Sequence, residues 1–149
     1  MKAPLPFSRG DRFELTEFLK ASDLTTSGIG EPGVRLWIDV DSDGRIVGST
    51  GYESLGTSGL LRSVAVAPPL RGEGRGTELA RFALSEMASL DVRRVWLFSR
   101  RSGPFWEGLG FEPADIDELA DVMADTHQVR AFAASGQLRY ETAWSRTLP

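Results

Sequence analysis

Three glycines in five residues, Gly72, Gly74 and Gly76, punctuate the run Arg71-Gly72-Glu73-Gly74-Arg75-Gly76-Thr77. Glycine reaches backbone conformations closed to other residues, so successive N–H groups can converge on one point. An apolar strand pattern from Ser63 to Ala67 stops at Pro68-Pro69 just before this run, and a helical pattern begins just after it. Strand, glycine loop and helix N-terminus in that order make an anion-binding arrangement, because unpaired amides and the positive end of the helix dipole face the same point. Arg71 and Arg75 add positive charge. The chemistry this suits is the holding of a phosphate-bearing molecule.

Two other phosphate loops fit less well. A dinucleotide fingerprint requires Gly-x-Gly-x-x-Gly, whereas Gly76 comes one position early and Thr77 stands in its place. A P-loop ends in Gly-Lys-Ser/Thr, and no lysine follows Lys20. An isolated Gly-x-Gly reads as a bare turn. The strand, the prolines, Arg71 and the helix around this one point to a ligand.

The elements that must position the loop follow from periodicity. Asp11 to Leu24 carries Phe13, Leu15, Phe18, Leu19 and Leu24 on a helical face, with Ser8 as N-cap. Residues 25–33 read as a loop. Val34 to Val40 and Arg45 to Leu55 read as strands joined at Asp41-Ser42-Asp43-Gly44. Alternating Asp39, Asp41 and Asp43 invite a calcium reading, but the downstream glutamate and flanking helices of an EF-hand are missing, so a polar hairpin tip accounts for them. A second hairpin around Gly56-Thr57-Ser58-Gly59 leads into Leu60 to Val66. Leu79, Ala80, Ala83, Leu84, Met87 and Leu90 predict an amphipathic helix over 77–90. A buried strand over 94–98, a short helix from Ser102-Gly103-Pro104 to Gly110, a strand opening at Phe111, a helix over 116–134 and a final strand over 137–147 complete the chain. The short Ala3–Phe7 segment serves as the first strand. The whole reads as one α/β domain over residues 1–149.

The pattern Val64-x-Val66-x-Pro68-x-x-Arg71-Gly72-x-Gly74-x-Gly76 resembles the pyrophosphate-binding signature of the GNAT superfamily of acyl-CoA-dependent N-acyltransferases. Phe105-Trp106-Glu107-Gly108-Leu109-Gly110-Phe111 resembles the Phe-Tyr-x-x-x-Gly-Phe segment of the same superfamily. The two motifs span residues 61–111. The resemblance implies a mostly antiparallel, splayed sheet flanked by helices, with acetyl-CoA as cosubstrate and no metal. It places the pyrophosphate on the amides of Gly72, Glu73, Gly74, Arg75, Gly76 and Thr77, and the pantetheine along Val64, Ala65 and Val66, beside Phe105 and Trp106. Ser99 and Ser102 are the candidates for the contact that an asparagine makes in relatives.

One departure matters. Many relatives carry, where Trp106 stands, a tyrosine that protonates the departing thiolate, and an indole N–H cannot serve as that acid. Tyr140, on the expected last strand, is weighed as a substitute against a simple core role. A thiolate of pKa about 8.5 is a fair leaving group unaided.

Glu53 and Arg62 are the candidate catalytic pair. With the hairpin turning at Thr57-Ser58 they fall opposite each other, and two accounts stay open. A cross-strand ion pair would be structural. At an acceptor site, Glu53 would take a proton from the incoming ammonium and Arg62 would hold a substrate carboxylate. The segments Gly51-Tyr52-Glu53-Ser54-Leu55 and Leu60-Leu61-Arg62-Ser63-Val64-Ala65-Val66 resemble a subgroup of arsenic-resistance and amino-acid N-acetyltransferases, which implies a small amino-acid-like amine as acceptor. His127, the sole histidine, reads as a surface residue.

Composition limits the rest. The chain has 149 residues, 41% hydrophobic and 26% charged, enough to build one ordinary globular core. A net charge of -4 offers no footprint for nucleic acid, and no apolar run is long enough for a membrane span. The absence of cysteine removes disulfides and thiolate chemistry and leaves a cytoplasmic location as the expectation. A silent acyl-CoA sensor, a protein N-acetyltransferase, and a monomer or homodimer all remain open at this stage.

Overall fold

The computed structural model describes residues 2–149. Seven strands form one sheet in the order β1-β2-β3-β4-β5-β7-β6. They are β1 (Leu5–Pro6), β2 (Val34–Val40), β3 (Ile46–Leu55), β4 (Ser58–Val66), β5 (Arg94–Phe98), β6 (Glu112–Ala114) and β7 (Ala143–Thr147). Every pairing is antiparallel except β4 with β5. That parallel pair exists because the chain must cross over through α2 (Arg75–Ser89) to reach β5.

Helices cover both faces. Ala80, Ala83, Leu84 and Met87 of α2 pack on Tyr52, Leu61, Val95 and Leu97. On the other face Leu15 and Leu19 of α1 (Arg12–Ala21) meet Val34, Leu36 and Ile38. The same face, further along, is covered by α4 (Ile116–Val122) and α5 (His127–Ser135), whose Leu119 and Val129 bury Leu60 and Trp96 together with Met123. Strand alternation explains this division: Trp37 points to α2 while its neighbours Leu36 and Ile38 point to α1.

Several boundaries differ from the sequence reading for local reasons. Ser8 heads a 3-10 turn, Arg9–Asp11, where the Asp11 carboxylate accepts from Ser8 N–H and Oγ, both at 3.0 Å. Helix α1 stops at Ala21, and Asp23 then adopts φ +57°. The expected helix over 116–134 is two helices, because the Thr126 side chain accepts from Val129 N–H and starts a new one. The last strand begins only at Ala143; Gln137–Tyr140 is a 3-10 turn that leaves Tyr140 64% exposed. Tyr140 is therefore neither a core aromatic nor a strand residue facing the thiolate.

The hairpin between β3 and β4 turns on Gly56-Thr57, one residue earlier than expected, with Gly56 at φ +58° in the first turn position. Glu53 consequently lies opposite Leu60, and Arg62 opposite Gly51. Between the pairs Ser49–Ala65 and Gly51–Arg62, β3 has one residue and β4 has two, so Ser63-Val64 is a bulge. Pairing of β4 with β5 ends at Leu60–Trp96, and the two strands diverge beyond it.

Candidate active site

The split between β4 and β5 is the feature around which the functional residues gather. A cavity of about 410 Å³ runs from the split to the glycine loop. Val64, Ala65 and Val66 form its strand wall, Arg71, Gly72, Gly74, Gly76 and Thr77 its loop end, and Ser102, Phe105 and Trp106 the opposite side. Eleven of the residues expected for the donor thus share one cavity.

Its polar character comes from main chain. Gly74 sits at φ +83° as the N-cap of α2, and none of the described side chains caps this helix. The first intrahelical bond is Glu78 N–H to Gly74 O at 3.1 Å, which leaves the amides of Arg75, Gly76 and Thr77 without intrahelical acceptors. Arg71 Nε donates to Val66 O at 3.0 Å, so its guanidinium is held at the cavity wall. Ala67 N–H bonds Val47 O on β3; by alternation Val66 turns its peptide groups the other way, toward the split.

Three of the expected donor residues are not among those lining this cavity. The Arg75 side chain is ion-paired to Asp39 at 3.0 Å and does not line the cavity. Glu73 does not line it either. The Ser99 hydroxyl accepts from Ser102 N–H at 3.2 Å, and its carbonyl accepts from Trp144 Nε1 at 3.0 Å, placing Ser99 on a second cleft.

That second cleft, about 90 Å³, lies on the other side of the split and meets the donor cavity at Val64, Ser102 and Trp106. Leu24 and Thr25 from the loop after α1 and Gln128 from α5 close it. Outward it continues into a space of about 150 Å³ bordered by Arg100, Phe132 and Glu141. Trp106 is 7% exposed, fixed edge-on between Phe105 (4.7 Å) and Phe111 (5.6 Å). The aromatic pair of the sequence motif is thus a rigid divider between two cavities.

Glu53 and Arg62 are joined, though not by direct opposition. Arg62 Nη1 donates to Glu53 Oε2 at 3.0 Å, and the two side chains are 0% (Arg62) and 4% (Glu53) exposed. Arg62 Nε donates to Ser63 Oγ at 3.1 Å and Nη2 to Ser27 O at 2.7 Å. Glu53 also accepts from His127 N–H (2.6 Å, Oε1) and Gln128 N–H (3.1 Å, Oε2). Burial pushes the Arg62 guanidinium below its ordinary pKa, and the charge and hydrogen bond of Glu53 pull it back up. The Glu53 carboxylate thus accepts three hydrogen bonds and does not line the second cleft. The expected carboxylate reader, Arg62, borders the second cleft together with Ser63, but its side chain is 0% exposed and its three donor nitrogens are all hydrogen-bonded within the protein.

Sequence reasoning missed Gln128. It is buried, its Oε1 has no hydrogen-bond partner, and it lines the second cleft. The polar stretch around His127 hid it, and only tertiary packing brings it to the cleft. His127 itself contributes its backbone amide. Among the described residues no group of three or more His, Asp or Glu is placed to hold a metal ion, and no helix is long and apolar enough to cross a membrane.

Known proteins with the same architecture fit this geometry. An acetyltransferase of the GNAT family from Staphylococcus aureus Mu50 superposes with a TM-score of 0.76 at 15% identity, covering 99% of each chain. A Mycobacterium tuberculosis protein, Rv2747, in complex with CoA, gives 0.71 at 16% identity, with 98% of this chain and 100% of that one covered. N-acetylglutamate synthase from Neisseria gonorrhoeae, complexed with coenzyme A and L-arginine, gives 0.73 at 16% identity; 98% of this chain covers 33% of that enzyme. None of the curated proteins matches this sequence. These likenesses establish the shared fold. The sequence profile described as the acetyltransferase (GNAT) family matches residues 4–111, well over half of the chain. The chain belongs to the acetyltransferase (GNAT) family and is an acyltransferase.

Proposed function

We propose that this enzyme moves an acetyl group from acetyl-CoA to the primary amine of a small, amino-acid-like molecule, by direct attack. The observation that carries the reading is the meeting of two cavities, one lined by uncapped amides and one closed and small, at Val64, Ser102 and Trp106. The pyrophosphate rests on the amides of the loop from Gly72 to Thr77, with Arg71 beside it. The pantetheine adds to the open edge of β4 as a peptide adds to a sheet. A backbone N–H of the Val64–Val66 segment polarises the thioester carbonyl.

The amine enters from the second cleft on the other side of Trp106. Its nitrogen forms the new C–N bond, the C–S bond breaks, and the CoA thiolate departs. Trp106 supplies no proton, and a thiolate of pKa about 8.5 leaves without one. Glu53 is buried and does not line the cleft, so the proton lost by the attacking amine passes to water in the cleft. A carboxylate on the acceptor has a better partner than Arg62 in Arg100. That side chain is 38% exposed, borders the outer cleft, and pairs loosely with Glu141 at 3.3 Å and Asp23 at 3.8 Å. Closure of the inner cleft by Leu24, Thr25 and Gln128 favours a small acceptor over an extended protein segment.

The test is release of the CoA thiol from acetyl-CoA with a panel of free amino acids, simple amines and short peptides. Turnover concentrated in the amino acids is expected. Peptides turned over faster than any amino acid would overturn the small-acceptor reading. Absence of thiol release with every amine would overturn the transfer itself.

A further inference from the structure

The Glu53–Arg62 pair is almost wholly buried, with side chains 4% and 0% exposed. Buried ion pairs seldom add net stability over a packed apolar pair, and their better-attested use is to impose one arrangement on their surroundings. Four separate elements converge on this one. Glu53 is on β3, Arg62 on β4, Ser27 O comes from the loop after α1, and the His127 and Gln128 amides begin α5. The Ser27 loop continues into Thr25 and Leu24, and α5 carries Gln128, so both walls of the acceptor cleft are tied to the pair.

The strand bulge is tied to it as well. Ser63 adopts φ +62°, a left-handed conformation that a residue with a side chain holds only when its surroundings enforce it. Two bonds enforce it here. Ser49 Oγ donates to Ser63 O at 2.6 Å from the β3 side, and Arg62 Nε donates to Ser63 Oγ at 3.1 Å. The N–H groups that follow Ser63 are those assigned above to the thioester carbonyl.

We infer that Arg62 and Glu53 are positioning residues. Their ion pair holds Ser63 in its left-handed turn, and so sets the aim of the amides after it. The same pair pins the acceptor walls to that bulge, so donor carbonyl and incoming amine share one rigid reference. This rests on the reading that acetyl-CoA lies along β4. It predicts a larger effect on the chemical step than on donor binding, because the pyrophosphate loop is held by other contacts.

The experiment compares Glu53→Gln, Arg62→Lys and Glu53→Gln combined with Ser63→Gly. It uses the full chain and the amino acid that releases CoA fastest. Misplacing reacting groups by a fraction of an ångström costs about tenfold to a hundredfold, so kcat should fall by that much in both single variants. The KM for acetyl-CoA should stay within about twofold. Arg62→Lys cannot rescue, since one ammonium cannot replace three differently directed bonds. Glycine takes a positive φ without a clamp, so Ser63→Gly should restore part of the lost kcat. Amide hydrogen exchange in Glu53→Gln should quicken at Ser63–Val64 and at His127–Gln128 together.

Full kcat in Glu53→Gln despite a lower melting temperature would overturn the inference, as would quickened exchange at only one of the two places or no rescue by Ser63→Gly. Should Arg62→Lys fail to fold, the near-isosteric Glu53→Gln carries the test. If no amine is turned over while exchange quickens at both places, the acetyl-transfer reading falls and the coupling stands.

Discussion

The donor side and the acceptor side of this site are built by opposite means. The donor loop is local: the consecutive run Gly72 to Thr77 ends in the uncapped amides of Arg75, Gly76 and Thr77, whose aim is set by main-chain conformation. The acceptor side is assembled from residues distant in the chain, with Ser27, Glu53, Arg62 and His127 joined through one buried ion pair. Main-chain amides suit a phosphate, whose shape and charge are constant among acyl donors. Side chains on separate elements can be changed one at a time, which suits an acceptor that differs between enzymes. The comparison predicts that damage to the donor loop removes binding, whereas damage to the acceptor side disturbs geometry and stability first.

The largest effect is expected at Gly74. An aspartate there would turn its carboxylate onto the uncapped amides of α2, capping the helix itself and repelling phosphate. Losing two charge-assisted bonds of about 1.5 kcal/mol each weakens acetyl-CoA binding at least about a hundredfold. Gly74→Ala separates strain from charge. Nothing lies within 4 Å of the added Cβ, so only the φ of +83° is unfavourable, and binding should largely survive. Thermal shift with acetyl-CoA distinguishes the two variants. Equal loss in both would mean that loop conformation, not electrostatics, limits binding.

Next in size is Arg62→Met. It leaves the buried Glu53 carboxylate with only two backbone donors, and removing one partner of a buried pair costs about 3–5 kcal/mol. Urea unfolding should register that loss. A change below about 1 kcal/mol would reduce the pair to the level of a surface contact.

Arginines on the donor side should then split. Arg71→Ala is expected to raise the acetyl-CoA KM about tenfold, one charged hydrogen bond's worth, and Arg75→Ala to change it less than about threefold, because Arg75 is spent on Asp39. The reverse order would show that Arg75 leaves Asp39 when the donor arrives. Gln128→Leu on the acceptor side should raise the acceptor KM about fivefold and leave the acetyl-CoA KM alone, as expected for one neutral hydrogen bond. Smallest is Tyr140→Phe, within about twofold of the parent rate because the phenol is exposed on a 3-10 turn; the hundredfold loss expected for a general acid would restore it to the mechanism.

The same division explains what could be read from sequence. Strands 34–40 and 94–98 stand where alternation and apolar runs placed them, and the donor loop was legible because glycine spacing, prolines and the next helix are contiguous. The acceptor side was not. Its residues come together only through tertiary packing. A one-residue shift of the turn to Gly56-Thr57 moved Glu53 off direct opposition to Arg62, yet their long side chains still met on the diagonal. Which of two partners an arginine serves, Asp39 or a phosphate for Arg75, depends on chain geometry that periodicity does not carry. The break between α4 and α5 turned on one threonine acting as a cap inside a helical pattern.

The central claim is that one donor molecule spans the glycine loop and the open edge of β4. A backbone amide NMR titration of the full chain with acetyl-CoA tests it most directly. The account predicts that the amides of Gly74, Gly76 and Thr77 and those of Val64 and Val66 shift together along a single binding curve. Shifts confined to the glycine loop, with Val64 and Val66 unmoved at saturation, would contradict it.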